Sequence, residues 1–209
     1  MTEHDRAVWQ MEHVVDVRES AFALRTYREH QDTRALLSRI APPERRGSAC
    51  EVGAGYGRMT VVLTEFFDTV VGFEREGHFA ADARRLMPDI QFVEISTVAQ
   101  LPSDDERFDL VLTFTVLQHL TDARAADAAR EIARILRPGG HLLICEETDP
   151  AMRDGDMDEG RAMCTIGRPV EAYAALFPGM TLLETRPRRI EPTYPRPDVG
   201  TYMLFRKTR

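Results

Sequence analysis

The stretch Cys50-Glu51-Val52-Gly53-Ala54-Gly55-Tyr56-Gly57-Arg58-Met59-Thr60 decides the fold. It reads as the end of a buried strand, a glycine turn, and the opening of a helix over residues 58–67. Glycines at alternate positions allow φ > 0 and let a ligand approach main-chain amides with no Cβ in the way. The following helix would turn free N–H groups and a positive dipole end toward the turn. Such a turn suits an anionic or carboxylate-bearing small molecule. Glu51 is the odd member, because a buried strand end rarely carries a carboxylate without a partner. A ligand amine or a backbone N–H would be that partner.

Working outward, strands alternate with helices. Residues 48–52 form the first strand, and 69–74 (Thr-Val-Val-Gly-Phe-Glu) the second, ending on Glu74. A helix over 77–87 stops at Pro88, a third strand covers 90–95, and Phe108 to Phe114 is the fourth. Thr121-Asp122 gives an N-cap signal for an alanine-rich helix to Leu136. Arg137-Pro138-Gly139-Gly140 stops that helix, and residues 141–147 are the fifth strand. This alternation predicts βαβ units and a parallel sheet covered on both faces.

The flanks differ. Residues 12–40 read as a helix that ends at Ala41-Pro42-Pro43. Residues 148–167 lack a clear period and read as a long loop or lid. A short helix over 169–177 precedes two strands, 180–190 and 200–207, divided by the proline-rich run 192–197. The expected organisation is one domain, with a helical cap at 1–43, a ligand-binding core at 48–147, a lid and helix at 148–178, and closing strands at 179–209.

The bulk numbers narrow the partners. The chain has 209 residues, 43% hydrophobic and 29% charged, with a net charge of −7. An acidic balance argues against nucleic acid or an anionic membrane as partner. The apolar runs fall short of transmembrane length, and the polar start Met1-Thr2-Glu3-His4-Asp5 is unlike a signal peptide. Three cysteines without a close pair give neither a disulfide framework nor a metal pattern. A reduced, cytoplasmic protein is expected, and nothing fixes its oligomeric state.

Glu74 stands 21 residues beyond Gly53. In doubly wound folds an acid at that distance accepts hydrogen bonds from both ribose hydroxyls of an adenosine-containing ligand. The turn reads G-x-G-x-G, with Arg58 where the dinucleotide fingerprint G-x-G-x-x-G has its third glycine. A pyrophosphate ligand is therefore disfavoured, and with it an NAD(P)-dependent oxidoreductase.

Five motifs in order, Glu51 to Gly57, Val71 to Glu74, Phe108 to Val111, Leu117-Gln118-His119-Leu120 and Leu136 to Gly140, resemble those of class I S-adenosylmethionine-dependent methyltransferases. The resemblance implies an α/β Rossmann-like, doubly wound sheet of seven strands, order 3-2-1-4-5-7-6 with strand seven antiparallel, under an N-terminal helical cap. It implies S-adenosyl-L-methionine as cofactor, S-adenosyl-L-homocysteine as product, and transfer to a small-molecule acceptor through an N or O nucleophile. A non-catalytic module that binds the cofactor is the rival.

Residue by residue, the resemblance assigns Glu51 and the backbone of Gly53, Ala54 and Gly55 to the methionyl end, Glu74 to the ribose and Arg75 to the flank of the adenine, with Gly57 among the cofactor residues. Thr113, near the end of strand four, belongs with the cofactor residues. The family's adenine-binding aspartate is missing after strand three, where Ser96 or Thr97 stands instead and Val98 would pack on the ring. Tyr27 or Arg28 of the cap would touch the cofactor carboxylate. His119 and Glu147, with its neighbour Glu146, are the candidates for orienting or deprotonating the acceptor.

Overall fold

A computed structural model describes residues 20–40, 47–155, 164–188 and 200–208. The start of the expected helix, residues 12–19, and the proline-rich run 192–197 lie outside the described residues. Seven strands form one sheet. They are β1 (Ser48–Val52), β2 (Thr69–Glu74), β3 (Gln91–Glu94), β4 (Phe108–Phe114), β5 (Leu136–Glu146), β8 (Met180–Pro187) and β9 (Thr201–Lys207), in the order β3-β2-β1-β4-β5-β9-β8. β1 to β5 run parallel, and β9 is antiparallel to both neighbours. In strand-count terms this is the expected 3-2-1-4-5-7-6 arrangement.

The central strands are apolar on both faces because both are covered. Cys50, Val52, Val71, Phe73, Val111, Leu142, Ile144 and Met203 point to one side. There they meet Ala128, Ala129 and Ile132 of α4 (Asp122–Ile135), and Tyr173 of α5 (Val170–Ala175). The alternate residues Ala49, Val70, Leu110, Leu112, Leu143 and Leu204 point to the other. They meet Leu36 and Leu37 of α1 (Ser20–Ile40) and Val62 and Leu63 of α2 (Thr60–Leu63). Alanines on α4 let that helix lie close to the sheet. The helix α3 (Gly77–Leu86) packs Ala83 against Phe92 of β3.

Four local expectations need correction. The helix after the glycine turn spans only Thr60–Leu63, its surroundings being closed by mixed bonds such as Val61 N–H to Gly57 O (3.2 Å) and Val62 N–H to Met59 O (3.0 Å). Glycine and the β-branched run Thr60-Val61-Val62 are poor helix formers, so the full helix does not develop. Thr121 occupies the cap position of α4, but its hydroxyl makes no cap bond and is buried without a hydrogen-bond partner among the described residues. The Arg137-Gly140 run does not separate α4 from the strand. β5 starts at Leu136, opposite Phe108, and after a register shift resumes with His141 opposite Leu110, Gly139 taking φ +76°. Lastly, the expected lid holds a two-stranded hairpin, β6 (Arg153–Gly155) against β7 (Cys164–Ile166).

Candidate active site at the carboxyl edge of the sheet

Every polar group on which the sequence analysis settled within the core lies at or beyond the carboxyl ends of the parallel strands. Strand order reverses at β1, where β2 lies to one side and β4 to the other. Such a switch point opens a crevice for ligands. β1 delivers Glu51 and the glycine turn, β2 delivers Glu74, β4 delivers Thr113, and β5 delivers Glu146 and Glu147.

The turn is shaped by three left-handed glycines, Gly53 (φ +76°), Gly55 (φ +55°) and Gly57 (φ +87°). They do different things. A Cβ on Gly57 would run into Met87 and lie 2.9 Å from Phe92 Cζ, so this glycine serves packing. A Cβ on Gly53 would strike Val116, which seats the chain after β4 directly on the turn. A Cβ on Gly55 would meet nothing within 4 Å. Gly55 therefore faces open space, and its N–H donates to Glu74 Oε2 at 2.6 Å. The other carboxylate oxygen of Glu74 accepts the Glu76 N–H at 2.8 Å. Each oxygen keeps lone-pair capacity for a further donor.

Glu51 is 2% exposed and accepts the Thr60 hydroxyl. Burial raises its pKa to about 8, against the Thr60 bond and Arg58, which lower it, while Glu74 raises it further. Burial thus favours its protonated form, and a cationic partner would favour the carboxylate. The Tyr56 hydroxyl, at the tip of the turn, is buried with no hydrogen-bond partner among the described residues. Burial raises its pKa as well. An orphaned hydroxyl, an uncharged buried acid and the open space before Gly55 are what a zwitterionic ligand lying across the turn would complete.

A second set of groups carries no sequence signal that the analysis used. Glu29 of α1 is 1% exposed and bonds Arg25 Nε (3.0 Å), Arg188 Nε (2.9 Å) and Arg58. Burial pushes its pKa up, but Arg58, Arg188 and Arg25 together outweigh that and hold it at about 2. Arg58 and Arg188 both lie over the Phe114 ring, 5.1 and 5.3 Å from its centre. His30 Nε2 donates to Arg58 O at 2.7 Å. Thus the cap helix is bolted to the glycine turn through the arginine that replaces the dinucleotide glycine. Only Arg58 itself could have been flagged from sequence, by its place after Gly57.

Beyond β4, Thr115 takes φ +55°, strained for a β-branched residue. This bend turns the N–H groups of Val116 (3.2 Å), Leu117 (3.1 Å) and Gln118 (3.0 Å) onto the Glu146 carboxylate, which also accepts the Thr113 hydroxyl (3.1 Å). Burial nevertheless raises Glu146 to about 7, these bonds opposing it. At the far end of the short 3-10 turn Leu117–His119, Arg168 donates to Leu117 O (3.0 Å), Leu120 O (2.7 Å) and Asp122 Oδ1 (2.9 Å). The turn carrying His119 is clamped at both ends. His119 Nδ1 lies 2.7 Å from Cys164 O of β7, and a carbonyl can only accept, so Nδ1 carries the hydrogen. Burial lowers the His119 pKa, and the Cys164 bond opposes that only in part.

The remaining expected residues fall on the rim or in support. Glu147 is 2% exposed, and its Oε1 accepts the Asp149 N–H at 2.9 Å. Tyr27 is 58% exposed and Arg28 half-buried on α1, whose buried acid at this point is Glu29. Arg75 is exposed and paired with Glu76 at 2.8 Å. After β3, Ser96 and Thr97 are exposed, Thr97 Oγ1 accepting the Ala99 N–H at 3.2 Å, while Val98 packs against the core.

The glycine turn, the buried acid Glu51 and the carboxylate of Glu74 thus meet at the switch point of a doubly wound sheet. A family described as "Methyltransferase domain" matches residues 50–144. Demethylmenaquinone methyltransferase of Mycobacterium tuberculosis is 34% identical over 119 residues, 56% of this chain and 47% of that protein. The enzyme of the same name from Clavibacter sepedonicus is 30% identical over 120 residues, 56% and 48% of the two chains. The chain thus spans about half the length of the curated relatives it matches. A Leishmania major S-adenosylmethionine-dependent methyltransferase superposes with TM-score 0.71 at 20% identity, over 90% of this chain and 75% of that one. A Pyrococcus horikoshii protein gives 0.71 at 15% identity over 93% and 94%. At such identities these structures show a shared fold. The match to the methyltransferase-domain family takes in the glycine turn, Glu74 and the strands up to β5, and the fold is one that S-adenosylmethionine-dependent methyltransferases of known structure share.

Proposed function

We propose that the protein transfers the cofactor methyl group to a small-molecule acceptor through an oxygen or nitrogen nucleophile, with His119 Nε2 taking the acceptor's proton. The observation that carries this reading is the His119 geometry. Its Nδ1–H is committed to Cys164 O, its burial favours the neutral ring, and Val116 seats its turn on Gly53. The relatives named demethylmenaquinone methyltransferase support a small-molecule acceptor.

The cofactor brings a methyl group already activated on a sulfonium, so the chain's task is chiefly alignment. In this reading Gly53, Ala54 and Gly55 cradle the methionyl end and Glu51 receives its ammonium. For the carboxylate we prefer the Tyr56 hydroxyl to Tyr27 and Arg28, because it is buried at the turn whereas Tyr27 is 58% exposed. Glu74 holds the ribose, its carboxylate set by the Gly55 and Glu76 amides. Ser96, Thr97, Val98 and Arg75 surround the adenine. Thr113 fixes Glu146, which shapes the turn before His119, and Glu147 supports the loop beyond β5. With the Thr97 hydroxyl already on Ala99, Ser96 is the freer donor or acceptor for the adenine edge.

The test is release of S-adenosyl-L-homocysteine on incubation of the chain with S-adenosyl-L-methionine and hydroxylated or aminated aromatic acceptors, a demethylated quinol among them. Turnover that falls at least about a hundredfold in His119→Ala supports the reading. A second reading is a binding module without methyl transfer. It has one observation in its favour: a 4+2 cyclase shares the fold, with TM-score 0.64 at 17% identity over 85% of this chain and 81% of that one. Tight cofactor binding with no methyl transfer to any acceptor class would favour it.

A further inference from the structure

The side chain of Gln118 lies between two groups whose chemistry is already set. Its Oε1 accepts the Glu147 N–H at 2.8 Å, so the opposite end of the amide is the NH2 group. That nitrogen is 3.4 Å from His119 Nε2. An amide NH2 only donates, so Nε2 must be the acceptor. The Cys164 carbonyl, on the other side of the ring, independently requires the hydrogen on Nδ1. Two contacts from different parts of the chain select one and the same tautomer.

Gln118 is also well held. It is 8% exposed, and its own N–H is bonded to Glu146 Oε2 at 3.0 Å. Flipping the amide would set its NH2 against the Glu147 N–H, donor against donor. Protonating the imidazole would do the same at Nε2. Among the described residues, the charged groups packed around this turn are Glu146 of β5, Glu147 just beyond it, Asp122 of α4, and Arg168 between β7 and α5. Each is engaged by the backbone or by another: Glu146 with three amides, Glu147 with Asp149 N–H, and Arg168 with Asp122 and two carbonyls. At 3.4 Å the Gln118–His119 contact is at the long end for a hydrogen bond, so an arriving hydroxyl at ordinary distance would displace it readily.

We propose that Gln118 is a positioning residue: its amide, oriented by the Glu147 N–H, keeps His119 neutral in the Nδ1–H tautomer and leaves Nε2 to accept a proton. This rests on the reading of His119 as the proton acceptor, and it adds the device that prepares it.

The experiment is nitrogen-15 NMR of the histidine rings in the full chain, free of ligand. Wild-type His119 should show a protonated Nδ1 and an unprotonated Nε2 at neutral pH. Gln118→Glu keeps an oxygen for the Glu147 N–H but turns a donor toward Nε2 into an acceptor. It should raise the His119 pKa by about one unit or more and protonate Nε2. Gln118→Met, similar in size and unable to donate, should keep the hydrogen on Nδ1 through Cys164 O but raise the His119 pKa, and it serves if the Glu variant fails to fold. A wild-type ring protonated on Nε2 would overturn the proposal, as would a Glu or Met variant that is folded and titrates like wild type. Failure of the underlying reading looks different: His119→Ala would keep its turnover while the wild-type tautomer and its Gln118 dependence stood unchanged.

Discussion

The amide of Gly55 donates to Glu74 Oε2 at 2.6 Å, so the glycine turn after β1 and the acid at the end of β2 form one unit before any ligand arrives. The bond holds the carboxylate against the turn and gives the glycine its left-handed conformation a second purpose. Replacing Glu74 removes the partner of two amides and, on the proposed reading, the hydrogen-bond acceptor for the ribose. Calorimetric titration of Glu74→Ala with S-adenosyl-L-homocysteine should show affinity reduced at least about a hundredfold, in line with two charge-assisted hydrogen bonds. Wild-type affinity would remove Glu74 from the ribose.

Gly55 and Gly57 should separate binding from folding. Gly55→Ala adds a methyl into open space at φ +55°, costing about 1–2 kcal/mol for the left-handed backbone and obstructing the ligand. Gly57→Ala drives its Cβ into Met87 and Phe92 and adds overpacking of about 1–3 kcal/mol to the same backbone cost. Thermal melts should rank Gly57→Ala as the less stable, while titration should rank Gly55→Ala as the greater loss of affinity per unit of stability lost. The reverse ranking would mean that the ligand does not cross Gly55.

If Glu51 receives the cofactor ammonium as proposed, cofactor binding should depend on pH. In the free protein its pKa is about 8, so below that value it is neutral. A cationic ammonium beside it favours the carboxylate, and binding must then release a proton. Affinity should climb with pH from about 6 to 8, by at most about tenfold per unit, and flatten above. Titration in two buffers of different ionisation enthalpy reads the proton directly, and Glu51→Gln should abolish it. Equal apparent enthalpies in both buffers for the wild type would exclude the coupling.

Stability of the free chain should follow its buried acids in two windows. Glu29 is held at about 2, below its unfolded value of 4.5, so its contribution is full above pH 4.5 and is lost as pH falls toward 2. Glu51 and Glu146 are raised to about 8 and about 7, so between pH 4.5 and those values the native state binds more protons and loses stability as pH rises. Melting temperature should therefore peak near pH 5 and decline on both sides as far as these groups decide it. Glu29→Gln, which leaves three arginines around a neutral amide, should cost about 3–5 kcal/mol at pH 7 and flatten the acid limb. An unchanged acid limb would show that the cluster does not govern acid unfolding.

Much of this architecture was legible along the chain, for reasons tied to particular residues. Phe108 to Phe114 was readable as a strand to the residue because both its faces are buried, leaving the uncharged run Leu110-Val111-Leu112-Thr113-Phe114 after Asp109. Glu51, the three glycines and Glu74 announced themselves because a buried acid and a positive φ are costly anywhere else. Where local rules compete, legibility ended. Thr60-Val61-Val62 reads as part of an amphipathic helix by its apolar spacing, but its β-branched propensity shortened it to four residues. Likewise Leu136 continues the helical pattern, and only its pairing with Phe108 makes it strand.

By itself, then, the sequence determined the strand and helix alternation, the glycine turn and the spacing of its two acids, because these are set by period and by backbone sterics within a few residues. Tertiary structure alone decided which side chains meet across long separations. Glu29 reaches Arg188 across 159 positions, and His119 reaches the Cys164 carbonyl across 45. The first helps to hold Glu29 ionised, and the second sets which ring nitrogen of His119 carries the hydrogen. Burial and partner charge set a pKa, and neither is a property of a residue's neighbours in the chain.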